Sequence, residues 1–162
     1  MGIEVCSIFQ AKAKQVVHRQ ATDKGIFLIQ AFEGFSAFPY RDVAGLWTVG
    51  IGHLIKSSET FTMLTPQEGE ALLRKDLWTA ERAVLRLIRV PLNDSQFDAL
   101  VSFTFNLGSG SLQRSALRAK INRGEYEAAG DEFLKWIWAG KKKSKGLLRR
   151  RIAERGMFLR NF

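Results

Sequence analysis

EGFSAFPYRDVAGLWTVGIGH, residues 33–53, decides how the rest of the chain is read. Glu33 closes an apolar run, Asp42 stands nine residues on, and Thr48 follows six beyond, giving E-x8-D-x5-T with a glycine-rich strand behind it. The lead-in GIFLIQAFE has helical spacing, with Ile26, Ile29 and Glu33 on one face. Glu33 is therefore expected on a buried face, with Gly34 stopping the helix as glycine does at C-terminal caps. Burial disfavours a charged carboxyl, which suits a proton donor. Asp42 lies in the turn-forming PYRD segment, where a carboxylate stays in water. Acid-assisted cleavage of a glycosidic bond needs two carboxyls in contrasting surroundings. On residue type alone, a capping Glu and a turn-forming Asp explain the same positions; the spacing and the run behind it tip the reading.

Working outward, Thr22 or Asp23 is placed to cap a helix over about 24–33. Residues 35 to about 63 read as turns and short strands. Val43-Ala44-Gly45-Leu46 has the look of a hairpin turn, and residues 47–51 alternate, with Trp47, Val49 and Ile51 on one face and Thr48 turned toward the acids. Gly50 and Gly52 permit close backbone approach. They do not form a dinucleotide loop, since a third glycine and a following helix are missing. Thr65-Pro66-Gln67-Glu68 is a strong helix start, with Thr65 as cap, Pro66 first in the helix and Glu68 completing a capping box. The helix is expected to run to about Arg89, before Pro91, with Leu73, Leu77, Ala80, Val84 and Leu87 or Ile88 as its apolar stripe. Asp76 falls on that stripe and needs a partner; His53, at the end of the preceding strand, is the candidate. Asn93-Asp94-Ser95-Gln96 starts another helix to about Asn106, and residues 107–110 form a turn. Helices over about 111–122 and 125–138 follow, then a KKKSK loop between Gly140 and Gly146, then a last helix over about 147–159. The class is α+β.

The length suits one core or two small lobes sharing a helix. Hydrophobic residues make up 46% of 162, with twelve Phe and four Trp. The single cysteine, Cys6, excludes an intramolecular disulfide and reads as a small apolar residue on an N-terminal amphipathic helix over 3–20. Charged residues interrupt that segment, so no membrane anchor or secretory signal is expected. One cysteine and two histidines give no zinc spacing, and no Ser-His-Asp signature appears. The net charge of +9 draws the chain to polyanions without choosing among nucleic acid, acidic lipid and acidic wall.

The 33–53 stretch resembles the catalytic region of the phage-type lysozymes, glycoside hydrolase family 24. Position by position, Glu33, Asp42 and Thr48 match that family's Glu-Asp-Thr triad. SFTFNLGSG resembles its helix-end motif, whose loop lines the substrate cleft, placing Asn106 and Gly108 there. GLLRRRIAER is similar to its closing G-L-x-x-R-R-x-x-E, placing Arg150, Arg151 and Glu154. One of the two arginines is expected in the cleft, within reach of Glu33 or of a substrate carboxylate. The resemblance runs from about Lys24 to the end. It implies a lysozyme-like fold in one domain: an N-terminal sheet lobe over about 22–64, a connecting helix over about 65–90, and a helical lobe over about 91–162. It implies a phage endolysin that hydrolyses the β-1,4 bond between N-acetylmuramic acid and N-acetylglucosamine. No metal or cofactor is implied. Expected partners are bacterial peptidoglycan and the anionic outer-membrane surface, with no specific nucleic acid, and the chain is expected as a monomer. It would wait in the host cytoplasm and act on the wall in the periplasm. Three alternatives stand beside this: a helix-turn-helix nucleic-acid binder over 94–122, a membrane-active basic segment over about 135–160, and a lytic transglycosylase.

Overall fold

The structure, a computed structural model, describes residues 18–160. The expected N-terminal helix and Cys6 lie outside those residues, save for 18–20. Helix α1 spans Asp23–Glu33. Thr22 occupies its N-cap position, but its side chain makes no cap bond. Asp98, from a neighbouring helix, does that work: its carboxylate accepts the Thr22 backbone N–H at 2.9 Å and the Thr22 hydroxyl. Burial pushes the Asp98 carboxyl above its ordinary range, against those bonds.

Strands β1 (Ser36–Arg41), β2 (Trp47–Gly50) and β3 (His53–Leu54) form an antiparallel sheet in chain order. Tyr40 and Leu54 flank Thr48 across it, and Arg41 faces Trp47. The register slips between Ser36 and Tyr40, where Pro39 cannot donate to a ladder. The expected burial alternation holds only in part. Val49, Ile51 and also Thr48 are buried, whereas Trp47 is exposed, its ring stacked under the Arg41 guanidinium at 4.6 Å.

Helix α2 (Pro66–Leu87) carries the complete Thr65–Glu68 capping box and buries Leu73, Leu77, Ala80, Val84 and Leu87 as expected. At 1.5 Å per residue it is about 33 Å long, and it touches β2 and β3 as well as α3 (Asp94–Leu107) and α4 (Ser109–Arg114). Its C-terminus is closed by Asn122, whose amide donates to Leu87 O at 2.9 Å and whose Oδ1 accepts the Arg89 N–H at 2.8 Å. The expected His53–Asp76 pair is present, Nδ1 to Oδ2 at 2.8 Å. Not foreseen is Glu59, which meets the other ring nitrogen at 2.9 Å. The imidazole thus clips β3 to α2 and to the loop between them.

α3 is the hub, packed against α1, α2, α4 and α7 (Lys145–Phe158). Asn93 and Gln96 box its start. Phe103 meets Phe133 and Trp136 edge-on, each at 5.5 Å, and Phe133 meets Phe158 at 5.5 Å. Four expectations are corrected here. The 107–110 turn is only a break at Gly108 (φ +84), and α4 begins at once. The helix expected over 111–122 is interrupted at Ser115, whose hydroxyl donates to Leu112 O and caps α5 (Ala116–Asn122) by accepting Arg118 N–H. The helix expected over 125–138 is α6 (Tyr126–Glu132) plus a 3₁₀ turn, and the KKKSK loop is a hairpin, β4 (Trp138–Ala139) with β5 (Lys142–Lys143). Two short helices and a buried α3 also leave no recognition helix over 94–122.

Two expected outcomes follow from these joints. A Cβ on Gly25 would sit 2.7 Å from the Asp98 carboxyl carbon. Gly25→Ala should therefore lower stability by a net of about 1–2 kcal/mol in urea unfolding, the lost charged cap outweighing alanine's better helix propensity. Glu59 is held below its ordinary range, first by the Lys56 backbone N–H and then by His53. A depressed carboxyl stabilises above its unfolded value and loses that contribution as pH falls through the folded one. Glu59→Gln should thus destabilise at pH 7, and the gap to the parent should close on acidification below the ordinary value of 4.5; a gap independent of pH would contradict the clip.

Candidate active site

Glu33 ends α1, and Gly34 (φ +73) turns the chain into β1. Ile26 and Ile29 are buried as the helical spacing implied, but Glu33 is not shut in with them. Its side chain is 24% exposed and tied to Arg150, Nη1 to Oε1 at 2.6 Å. The fuller burial expected is corrected: the helix ends at Glu33, so the carboxyl leans off the apolar face toward a cation. Its other oxygen lies beside Gly52, where a Cβ would come within 3.6 Å. Gly52 (φ +74) thus lets the β2–β3 turn come close to the carboxylate.

Asp42 follows β1 directly. Its Oδ1 accepts two backbone N–H groups, from Ala44 and Leu46, each at 2.9 Å, in an Asx-type turn. Two main-chain bonds close the same hairpin, Asp42 N–H to Leu46 O and Gly45 N–H to Asp42 O, both 2.9 Å. Thr48, 3% exposed, donates its hydroxyl to that same Leu46 O at 3.2 Å. The Leu46 residue therefore joins Asp42 to Thr48: its N–H fixes the carboxylate and its C=O fixes the hydroxyl. Asp42 Oδ2 is left outside these bonds.

The helical side of the site is built on α7. Arg150 and Arg151 are 4% and 0% exposed, and Glu154 between them is 0% exposed. Arg150 reaches Glu33 at one end and Glu154 at the other, Nε to Oε1 at 3.1 Å, and also donates to Ser102 O at 3.3 Å. Arg151 pairs with Glu154 and donates from Nη2 to Asn106 Oδ1 at 2.8 Å. Burial holds the Arg151 guanidinium down to about 10 and pushes the Glu154 carboxyl up, against the two arginines that favour its charge. Of the two arginines, Arg150 is the one that reaches Glu33, whereas Arg151 has no exposed surface and faces Asn106. Gly108, exposed with φ +84, lets α3 end and α4 begin beside Asn106. Ser102 was not foreseen. Its one trace in the sequence is a small polar residue one turn before Asn106, set in the apolar run Leu100, Val101 and Phe103.

No group of three or more His, Cys, Asp or Glu among the described residues is arranged to hold a metal ion. Among those residues no helix is long and apolar enough to cross a membrane.

The model of one protein family, phage lysozyme, matches residues 30–154. The endolysin of Salmonella phage P22 is 38% identical over 144 residues, covering 86% of this chain and 98% of that protein. The endolysin of Bacillus phage B103 is 39% identical over 137 residues, 83% of this chain but only 52% of that longer protein. Among solved structures, the muramidase domain of SpmX from Asticaccaulis excentricus superposes with a TM-score of 0.80 at 33% identity, covering 87% of this chain and 98% of the domain. With the helix-end acid, the Asp–Thr hairpin and a family model spanning most of its length, the chain belongs to the phage lysozyme family and is a lysozyme-type hydrolase of peptidoglycan.

Proposed function

We propose that this lysozyme cleaves the β-1,4 bond between N-acetylmuramic acid and N-acetylglucosamine, with Glu33 as general acid and Asp42 and Thr48 holding the attacking water. The Leu46 peptide carries the reading, because it locks Asp42 and Thr48 to one another from opposite sides. Glu33 protonates the leaving oxygen from the helix side. Asp42, with Oδ1 committed to two N–H groups, keeps Oδ2 for the water, and the Thr48 hydroxyl accepts and donates at once. Asn106 and Gly108 line the helical wall, and Arg150 orients Glu33. In this reading residues 22–64 and 91–162 act as two lobes with the 65–90 helix as their connection, since α2 touches elements on both sides. The enzyme acts as a monomer on the periplasmic wall after release from the host cytoplasm. Its +9 charge concentrates it on anionic wall and outer-membrane surfaces. A membrane-active peptide over 135–160 is disfavoured, because α7 turns three charged side chains into the protein.

Glu33→Gln keeps the size and removes the ionisable proton. Lysis should fall by about 10²–10⁴-fold or more, with the circular dichroism spectrum unchanged; clearing of cells at the parent rate would sink the assignment. Mass spectrometry of the muropeptides released by the parent enzyme should show reducing-end N-acetylmuramic acid. The anhydro sugar would mean transglycosylation instead.

A held water needs room, so the Glu33 and Asp42 carboxyls belong to the wider spacing of inverting enzymes, roughly 6.5–9.5 Å, and not the roughly 5–5.5 Å of retaining ones. NMR of the first product from a soluble glycan should therefore show the α-anomer. A β-anomer, or a glycosyl group trapped on Asp42, would overturn inversion and leave the muramidase reading standing.

A further inference from the structure

The buried carboxylate of Glu154 touches neither solvent nor the groups assigned to bond cleavage, yet it stands one residue removed from Glu33. Its Oε1 accepts the Ser102 hydroxyl at 2.7 Å, Arg150 Nε at 3.1 Å and Arg151 Nη2 at 3.2 Å. Its Oε2 lies 3.0 Å from Arg151 Nε. Arg150 spends its remaining reach on Glu33 Oε1 at 2.6 Å. Glu33, Arg150, Glu154 and Arg151 therefore alternate carboxyl with guanidinium, running from the site into the interior.

We propose that Glu154 is a positioning residue for the reaction, acting through Arg150 to set where the Glu33 carboxyl points. The proposal rests on the reading of Glu33 as proton donor. The geometry gives the reason. A guanidinium is a planar fork, and fixing one edge fixes the direction of the other. Glu154 holds the Nε edge of Arg150, and Ser102 O holds Nη2 at 3.3 Å, so Nη1 can present itself to Glu33 in one orientation only. Arg151 is the second guanidinium that holds Glu154 in place, itself anchored on Asn106. Without the central anion, the two guanidiniums would face each other unscreened. Arg150 would then be free to follow Glu33, and Glu33 would lose its fixed bearing.

A purely structural Glu154 would neutralise two buried arginines and do no more. Its loss would then reduce the folded fraction and leave turnover per folded molecule intact. A positioning Glu154 predicts the reverse emphasis, since a misplacement of about 1 Å costs on the order of 10²-fold in rate.

The experiment measures kcat and KM on soluble, uncross-linked glycan strands, corrected for folded protein by near-UV circular dichroism. Glu154→Gln should lower kcat by about 30–100-fold with KM within about twofold. Ser102→Ala, which keeps every charge and removes a donor to Glu154 together with a long 3.4 Å acceptor for Arg150 Nη2, should lower kcat by about 3–10-fold and decides the matter if the first variant fails to fold. In an Arg150→Ala background, adding Glu154→Gln should cost less than about twofold more, because the two act in one line. Wild-type kcat in the folded variants, or a full additional loss on top of Arg150→Ala, would overturn the proposal. Glu33→Gln, assayed in parallel, separates the two readings. Should it remain active, the assignment of the acid has failed; should it be inactive while Glu154→Gln turns over normally, only the positioning role has failed.

Discussion

A guanidinium can stay in a protein interior only where anions and carbonyls meet it, and this protein buries two of them side by side. Glu154 is the shared anion, and Ser102 on α3 supplies a hydroxyl and a carbonyl to the cluster. The requirement dictates how α7 lies. Its charged residues Arg150, Arg151 and Glu154 point inward onto α3, while Leu148 and Ile152 face outward. These three charges break the ordinary amphipathic pattern, although Phe158 is buried and Lys145 and Arg149 are exposed as that pattern requires. Removing one member of such a cluster leaves an uncompensated buried charge, at a cost of about 3–5 kcal/mol. The cluster therefore specifies the seat of α7, and through Arg150 it specifies where α1 must end.

Local chemistry was legible in the residues. The Thr65–Glu68 and Asn93–Gln96 boxes are complete within four residues each, so both long helices start where the sequence puts them. The hairpin at 42–46 is equally local, and even the His53–Asp76 pair followed from one polar residue on an apolar stripe. What could not be read is chemistry supplied from far along the chain. Thr22 looks like a cap, but Asp98, 76 residues away, caps the helix. Ser115 looks like helix interior, yet its hydroxyl closes one helix and opens the next. Residues 140–146 looked like a lysine loop after a helix ending at Trp138, and Gly140 (φ +61) instead turns 138–143 into a hairpin.

The site divides along the same line. Asp42 and Thr48 are held by bonds no more than four residues long, so their arrangement belongs to the hairpin sequence itself. Glu33 is held by a residue 117 positions away. The helical spacing placed it on the right face and missed its partner, because a helix end releases its last side chain from the face that the spacing describes. Arg150 and Arg151 were distinguishable only by burial in three dimensions. Adjacent on α7, they point 100° or so apart around the helix, one toward Glu33 and the other toward Asn106.

The contrast between the two carboxyls is real but is made differently from the apolar-against-polar scheme that the sequence suggests. Asp42 is met by backbone amides, which cannot move without opening the hairpin. Glu33 is met by a side-chain cation with its own fixed support and, on the other oxygen, by the bare backbone of Gly52. The sheet thus presents its carboxylate as a rigid local unit. The helical part presents its acid through a chain of ion pairs that is only as well oriented as its innermost link. Substitutions in the hairpin should therefore act on Asp42 and Thr48 alone, whereas substitutions deep under α7, far from the hairpin, reach Glu33.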